Sequence, residues 1–248
     1  MSNEIGAPAG HRTPFALLRL IREKGIRETC RAVADRLREP ALECYFERRL
    51  GITTTGLLSP AALGYDDPNC WECGPSRYGD IRRVFARLRV TPGKDAFLDF
   101  GSGKGRVVIM AARLPYSRVT GVELSPDVAE IARLNVLRAR PRLTCDCVEI
   151  TVADAGTFEI SDDVTVAYLA APFGGRILEA VLDNIQASLG RRPRAFRIVN
   201  YGPGVGNEAE ARIRGRDWLR LQSEVRLQHH NRAWIHQNVR PCQRRSKI

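Results

Sequence analysis

Between residues 14 and 50 apolar side chains recur at helical spacing: Phe15, Leu17, Leu18, Leu20 and Ile21, then Val33, Leu37, Leu42 and Phe46, with charges between them. Two or three amphipathic helices follow, punctuated at Gly25 and Pro40. From Gly51 to Ser76 the periodicity fails in a stretch rich in Gly, Pro, Thr and Asp, which predicts a long irregular loop of the kind that often carries function. Helical spacing returns from Tyr78 to Leu88.

Beyond Pro92 and Gly93 short apolar runs alternate with helical segments. Ala96 to Phe100, Val119 to Leu124, Cys147 to Val152, Val164 to Leu169 and Ala195 to Tyr201 predict strands. Arg106 to Leu114, Asp127 to Arg138 and Gly175 to Leu189 predict helices between them. That order is the signature of a parallel sheet with helices on its faces. The tail differs: residues 218–227 and 232–239 alternate with period two around the polar turn Gln228 to Asn231, as an antiparallel pair closing the sheet would. The expected fold is α/β and Rossmann-like: a mostly parallel seven-stranded sheet with a C-terminal antiparallel hairpin and an N-terminal helical extension.

With 248 residues, 44% of them hydrophobic, the chain can bury a full core without disulfide staples, which excludes disordered and fibrous classes. No stretch reaches the roughly 18 uncharged apolar residues of a membrane span, and the N-terminal residues lack the pattern of a signal peptide; a cytoplasmic protein with no membrane partner is the expectation. The formal charge of +11 points on composition alone to a polyanion. Its location changes that reading. Residues 191–248 hold 14 basic and 4 acidic side chains, whereas residues 1–190 hold 25 and 24.

Seven scattered cysteines suit reduced thiols. Cys70 and Cys73 have metal-knuckle spacing, and Cys145 with Cys147 would complete a tetrahedral zinc set. The simpler reading makes Cys145 and Cys147 small apolar fillers on a strand, and no metal is assigned.

The densest chemistry lies in Phe97-Leu-Asp-Phe-Gly-Ser-Gly-Lys-Gly-Arg106, where the first strand meets a helix. A Walker A loop needs Ser or Thr after Gly-Lys, but Gly105 follows Lys104. A dinucleotide fingerprint needs a third glycine where Arg106 stands. What remains is G-x-G-x-G preceded by an acid. Asp99 can engage the ammonium of an amino-acid ligand. Glu123, ending the second strand, can accept from ribose hydroxyls, and Asp154, ending the third, can accept from an exocyclic adenine amine. All three fall at carboxyl ends of strands, where open parallel sheets bind ligands.

These segments, Asp99 to Arg106, Gly121-Val-Glu-Leu-Ser-Pro, Ala153-Asp-Ala and the strand ending Leu169-Ala-Ala-Pro-Phe173, resemble the ordered motifs of class I S-adenosylmethionine (SAM)-dependent methyltransferases. The resemblance covers residues 78–201. Gly51-Ile-Thr-Thr-Thr-Gly and Ser76-Arg-Tyr-Gly extend it toward poorly characterised bacterial members with extra N-terminal helices. It implies SAM as cofactor, with Asp99, Gly101, Ser102, Gly103 and Gly105 cradling the methionine part, Glu123 the ribose, and Asp154 with Ala155 the adenine; Leu124 is a further expected cofactor-binding residue. It also implies two parts: an N-terminal helical extension and cap loop (1–77), and a SAM-binding methyltransferase domain (78–248).

Methyl transfer from a sulfonium demands orientation and desolvation, and for some nucleophiles a proton acceptor. Tyr78, Tyr168, Phe173 and Asn200 are the expected catalytic-pocket residues, since their segments approach the strand ends and aromatic faces attract a sulfonium. Tyr201 belongs with them. His229, His230 and His236 are candidate bases, while Lys104 and Arg106 can grip a substrate carboxylate or pair with nearby acids. Relatives that methylate amines often place Asn or Asp before Pro-Pro after the fourth strand. Ala171-Pro172-Phe173 lacks that acceptor, which favours N- or O-methylation of a small molecule over a flipped base. The alternatives are a nucleic acid or acidic protein recruited by the basic C-terminal region, the Gly-Ser-Gly loop resembling also the non-SET histone-lysine methyltransferases, and a non-catalytic cofactor-binding regulator. The N-terminal helices serve either as a lid or as a homodimer contact.

Overall fold

The computed structural model describes residues 22, 25–56, 74–205 and 207–239. Cys70, Cys73 and the last basic residues from Arg240 onward lie outside them. Compact units divide between Cys44 and Tyr45, inside helix α1 (Ile26–Leu50). The described residues from Tyr45 to Arg77 fall in the same unit as the sheet. Pro40 lies within α1 rather than ending it. A proline inside a helix removes one backbone donor and crowds the preceding turn, and here the helix continues on both sides.

In the sheet unit, α2 (Tyr78–Phe85) precedes β1 (Ala96–Phe100), α3 (Arg106–Ala112), β2 (Arg118–Glu123), α4 (Pro126–Ala139), β3 (Val148–Val152), β4 (Val164–Leu169), α5 (Gly175–Arg191), β5 (Arg197–Pro203), α6 (Glu208–Arg214), β6 (Leu219–Arg226) and β7 (Asn231–Asn238). The seven strands lie in the order β3-β2-β1-β4-β5-β7-β6. The first five are parallel, and β7 enters antiparallel between β5 and β6. The expected sheet and closing hairpin are borne out. Chain direction across the sheet reverses between β1 and β4, which opens a crevice beyond their carboxyl ends.

Every residue of β1 is buried, because helices cover both faces of this central strand. On one side α5 turns Leu178, Val181, Leu182 and Ile185 inward, a helical stripe at i, i+3, i+4, i+7. They pack with Leu98, Phe100 and Leu169 in a single apolar layer. Each such side chain contributes about 1.5–3 kcal/mol by burial.

Two local signals place the site. Ser125 accepts from the Val128 amide at 3.4 Å, with Pro126 in the first turn, so α4 starts two residues after β2 and leaves Glu123 at the strand tip. Opposite, a Cβ on Gly121 would stand 2.8 Å from Ser102 Cβ and from Val108 Cγ2. That glycine lets β2 and the Gly-rich loop touch.

Candidate functional site

Beyond the ends of β1, β2, β3 and β4 lies a cavity of about 160 Å³, and Asp99, Glu123 and Asp154 all line it. Gly101, Ser102, Gly103, Leu124, Ala155 and Phe173 join them. Gly105 does not: it sits behind the loop at φ 85°, where its carbonyl accepts the Ile109 amide and begins α3. Gly101, at φ 69°, lies against the turn after β4, and a Cβ there would come within 2.4 Å of Pro172 Cβ.

The acids differ in their surroundings. Glu123 is held by two backbone donors, Gly103 N at 2.8 Å and Ser125 N at 3.0 Å, one on each carboxylate oxygen. Its remaining lone pairs stay available to hydroxyls. Asp154 accepts from the Gly156 amide at 2.8 Å. Asp99 is 2% exposed; burial, reinforced by the negative charge of Glu123, pushes its carboxyl well above the usual range. A buried carboxyl with that bias is poised to ionise when a cation arrives. The buried Ser102 hydroxyl has no hydrogen-bond partner among the described residues, so it too is ready for a ligand. A cradle of glycine backbone, a buried hydroxyl and three acids fits the SAM molecule that the resemblance implies.

Three expected pocket residues are elsewhere. Tyr78 is fully buried, stacked on Phe46 with ring centroids 4.8 Å apart, and its hydroxyl donates to Glu47 at 2.9 Å. Tyr168, at the Asp99 register in β4, is buried against Phe85 and Phe97 and stacked on Tyr201. Asn200 is buried and donates to Glu210 at 3.1 Å. None of the three lines the cavity. In a strand covered on both faces a residue near the carboxyl end can point into a packed layer, and period-two reasoning cannot tell which. Tyr201 likewise donates to the buried Asp80 at 3.1 Å.

The candidate bases fare similarly. His229 and His230 occupy the exposed β6–β7 turn at φ 54° and 64°. His236 is buried, 3.1 Å from Glu210. Glu210 also takes Arg214 and Asn200; burial raises its carboxyl, but these donors outweigh it and hold it below the ordinary range. Cys145 is buried and Cys147 half-buried, both as free thiols.

The missed part of the site is its upstream wall. Thr54, Gly56 and residues 74–76 line the cavity across from the Gly-rich loop. Asn135 on α4 accepts from the Thr53 amide and donates to the Thr53 and Lys104 carbonyls, all at 3.0 Å. Arg106, 3% exposed, donates to Thr54 Oγ1 at 2.7 Å and to the Ser76 carbonyl at 3.1 Å. Its charge meets Glu47 at 3.5 Å and the Tyr78 ring at 4.3 Å. The lead-in motifs Gly51 to Gly56 and Ser76 to Gly79 were the available signal.

Comparison with known proteins agrees. Residues 97–190 match the model of a methyltransferase domain. Mouse adenine nucleotide translocase lysine N-methyltransferase is 31% identical over 120 residues, covering 48% of each chain. The chain thus spans about half the length of that curated relative. Among solved structures, a precorrin-8w decarboxylase from Methanobacterium thermoautotrophicum superposes with a TM-score of 0.50 at 21% identity, over 67% of this chain and 93% of that one. A Salinibacter ruber RNA methyltransferase, in complex with S-adenosyl-L-homocysteine, aligns at 25% identity and TM-score 0.45, over 65% and 91%. The resemblance to class I SAM-dependent methyltransferases is borne out by the family match. Among the described residues, no helix is long and apolar enough to cross a membrane.

Proposed function

We propose that this chain transfers the methyl group of SAM to an amine. The observation that carries the reading is the alignment of Asp99, Glu123 and Asp154 on one cavity at the ends of three parallel strands, around a Gly-rich loop. When bound, SAM supplies a methyl on a positively charged sulfur, which a lone pair can take in one in-line displacement. The protein's part is positional. Asp99 holds the ammonium, Glu123 the ribose hydroxyls and Asp154 the adenine amine, with Ser102 and the glycine amides against the methionine part and Phe173 and Leu124 as apolar walls.

An amine is favoured over a hydroxyl because the three carboxylates of the lining are assigned here to the cofactor. A hydroxyl nucleophile needs a base within hydrogen-bond reach, and among the described residues no histidine lines the cavity. An amine that enters uncharged needs none. The mouse relative, a lysine N-methyltransferase, supports a protein lysine as acceptor. A small-molecule amine is the second reading, favoured by the upstream wall of Thr54, Gly56 and residues 74–76 that lines the cavity. The basic C-terminal region supports recruitment of nucleic acid less than its charge suggested. Six of the ten described arginines from Arg191 onward are ion-paired: Arg191, Arg197, Arg212, Arg214, Arg216 and Arg232.

The test incubates the purified chain with methyl-tritiated SAM and a size-fractionated cell extract. Label in acid hydrolysates of the protein fraction that co-elutes with methyl-lysine supports the first reading, and label on small amines the second. Label confined to nucleic acid or to a hydroxyl, or no binding of S-adenosylhomocysteine by calorimetry, refutes the proposal.

A further inference from the structure

The two cations beside the Gly-rich loop have different partners. Arg106 faces Thr54, Ser76 and Glu47 and carries the upstream wall. Lys104 also lines the cavity, yet its ammonium meets no carboxylate among the described residues. Among the described residues Nζ donates to the Thr55 carbonyl alone, at 2.5 Å. It is packed against the wall, since a Cβ on Gly56 would stand 3.4 Å from it. The Lys104 backbone is fixed independently, its carbonyl accepting from Asn135 at 3.0 Å.

A lysine ammonium has three donors, and among the described residues one is used. The buried Asp99 lines the same cavity, and along the chain it precedes Gly101 as Lys104 follows Gly103. One cation and one anion flanking glycine backbone match a zwitterion, and an α-amino acid end presents that pair of charges.

We propose that Lys104 binds the carboxylate of the cofactor's amino-acid end, opposite Asp99 on its ammonium. This deepens the SAM reading and rests on it. Arg106, Asn135 and Glu47 act as positioning residues: they hold the Thr53–Gly56 wall against which the Lys104 side chain is laid. The carboxylate takes the free donors while the Thr55 carbonyl keeps its own.

The experiment is a cycle between protein and ligand. Calorimetry measures S-adenosylhomocysteine, its decarboxylated analogue and 5′-methylthioadenosine, which lacks the whole amino-acid end, against wild type, Lys104→Met and Lys104→Arg. A charge-assisted contact of this kind accounts for about tenfold or more in affinity. Lys104→Met is expected to weaken S-adenosylhomocysteine by that factor, to leave methylthioadenosine and the decarboxylated analogue within about twofold, and to be partly rescued by arginine. In wild type, losing the ligand's carboxylate should cost the same factor. Equal losses for all three ligands, or none, overturn the assignment, as does wild type binding the decarboxylated analogue as tightly as S-adenosylhomocysteine. The wild-type ligand comparison decides even if a variant fails to fold. Failure of the SAM reading looks different, because wild type would then bind none of the three.

Discussion

The contact between Gly101 and Pro172 makes a quantitative prediction. A methyl group at position 101 would meet Pro172 Cβ at 2.4 Å, so the loop and the turn after β4 must separate by roughly 1 Å to reach ordinary contact. The backbone there is also left-handed, at φ 69°, which costs an L-residue about 1–2 kcal/mol. Overpacking adds about 1–3 kcal/mol, so Gly101→Ala should lose about 2–5 kcal/mol. For a chain of this size that lowers Tm by roughly 4–20 °C. The two contributions separate in a cycle with Pro172→Gly: removing the ring should restore the steric part and leave the left-handed cost. Scanning fluorimetry reads Tm, and calorimetry with S-adenosylhomocysteine should show at least tenfold weaker binding, because the displaced loop is the cradle. A Gly101→Ala protein with Tm within about 2 °C of wild type and unchanged affinity would refute both the clash and the placement of the cofactor.

Asp99→Asn should stabilise the ligand-free protein at neutral pH. The raised carboxyl means the folded state holds its proton more tightly than the unfolded one, so wild-type stability falls as pH rises through that range; the variant's Tm should be flatter with pH. For the same reason, S-adenosylhomocysteine binding should release protons from Asp99, read as a heat that varies with the buffer's ionisation enthalpy. Glu123→Ala should weaken S-adenosylhomocysteine by roughly ten- to a hundredfold, the effect of losing hydrogen bonds to a charged acceptor; full retention of affinity would remove the ribose assignment. Glu210→Gln should lower Tm near neutrality, with the gap from wild type narrowing in acid. Its depressed carboxyl contributes stability above the unfolded pKa that is lost as pH falls through the folded one.

The parallel core was legible because its strands are buried on both faces and read as unbroken apolar runs, and the acids at the tips of β1, β2 and β3 were legible because each ends such a run. Helix α6 was not: seven residues with Ala209, Glu210 and Ile213 buried leave almost no periodicity, and its start at Asn207, which accepts from the Glu210 amide at 2.8 Å, is a local cap without an apolar run behind it. Tyr168 and Asn200 were misplaced because their side chains' direction depends on which layer covers the strand end. The upstream wall lay hidden for another reason. Thr53 and Thr54 are held there by partners far along the chain, Asn135 for the first and Arg106 for the second, which no local pattern connects to them.

The bond between the Thr53 amide and Asn135 joins residues 82 positions apart. At about 5–20 residues per second, a ribosome extends the chain from one to the other in roughly 4–16 s. Through that interval the wall has no anchor on α4, and the Gly-rich loop emerges with neither of its neighbours in place. Synthesis thus delivers Asp99 and Glu123 before the residue that fastens the wall, and Asp154 after it, so the anchor arrives between the second and third acids of the pocket.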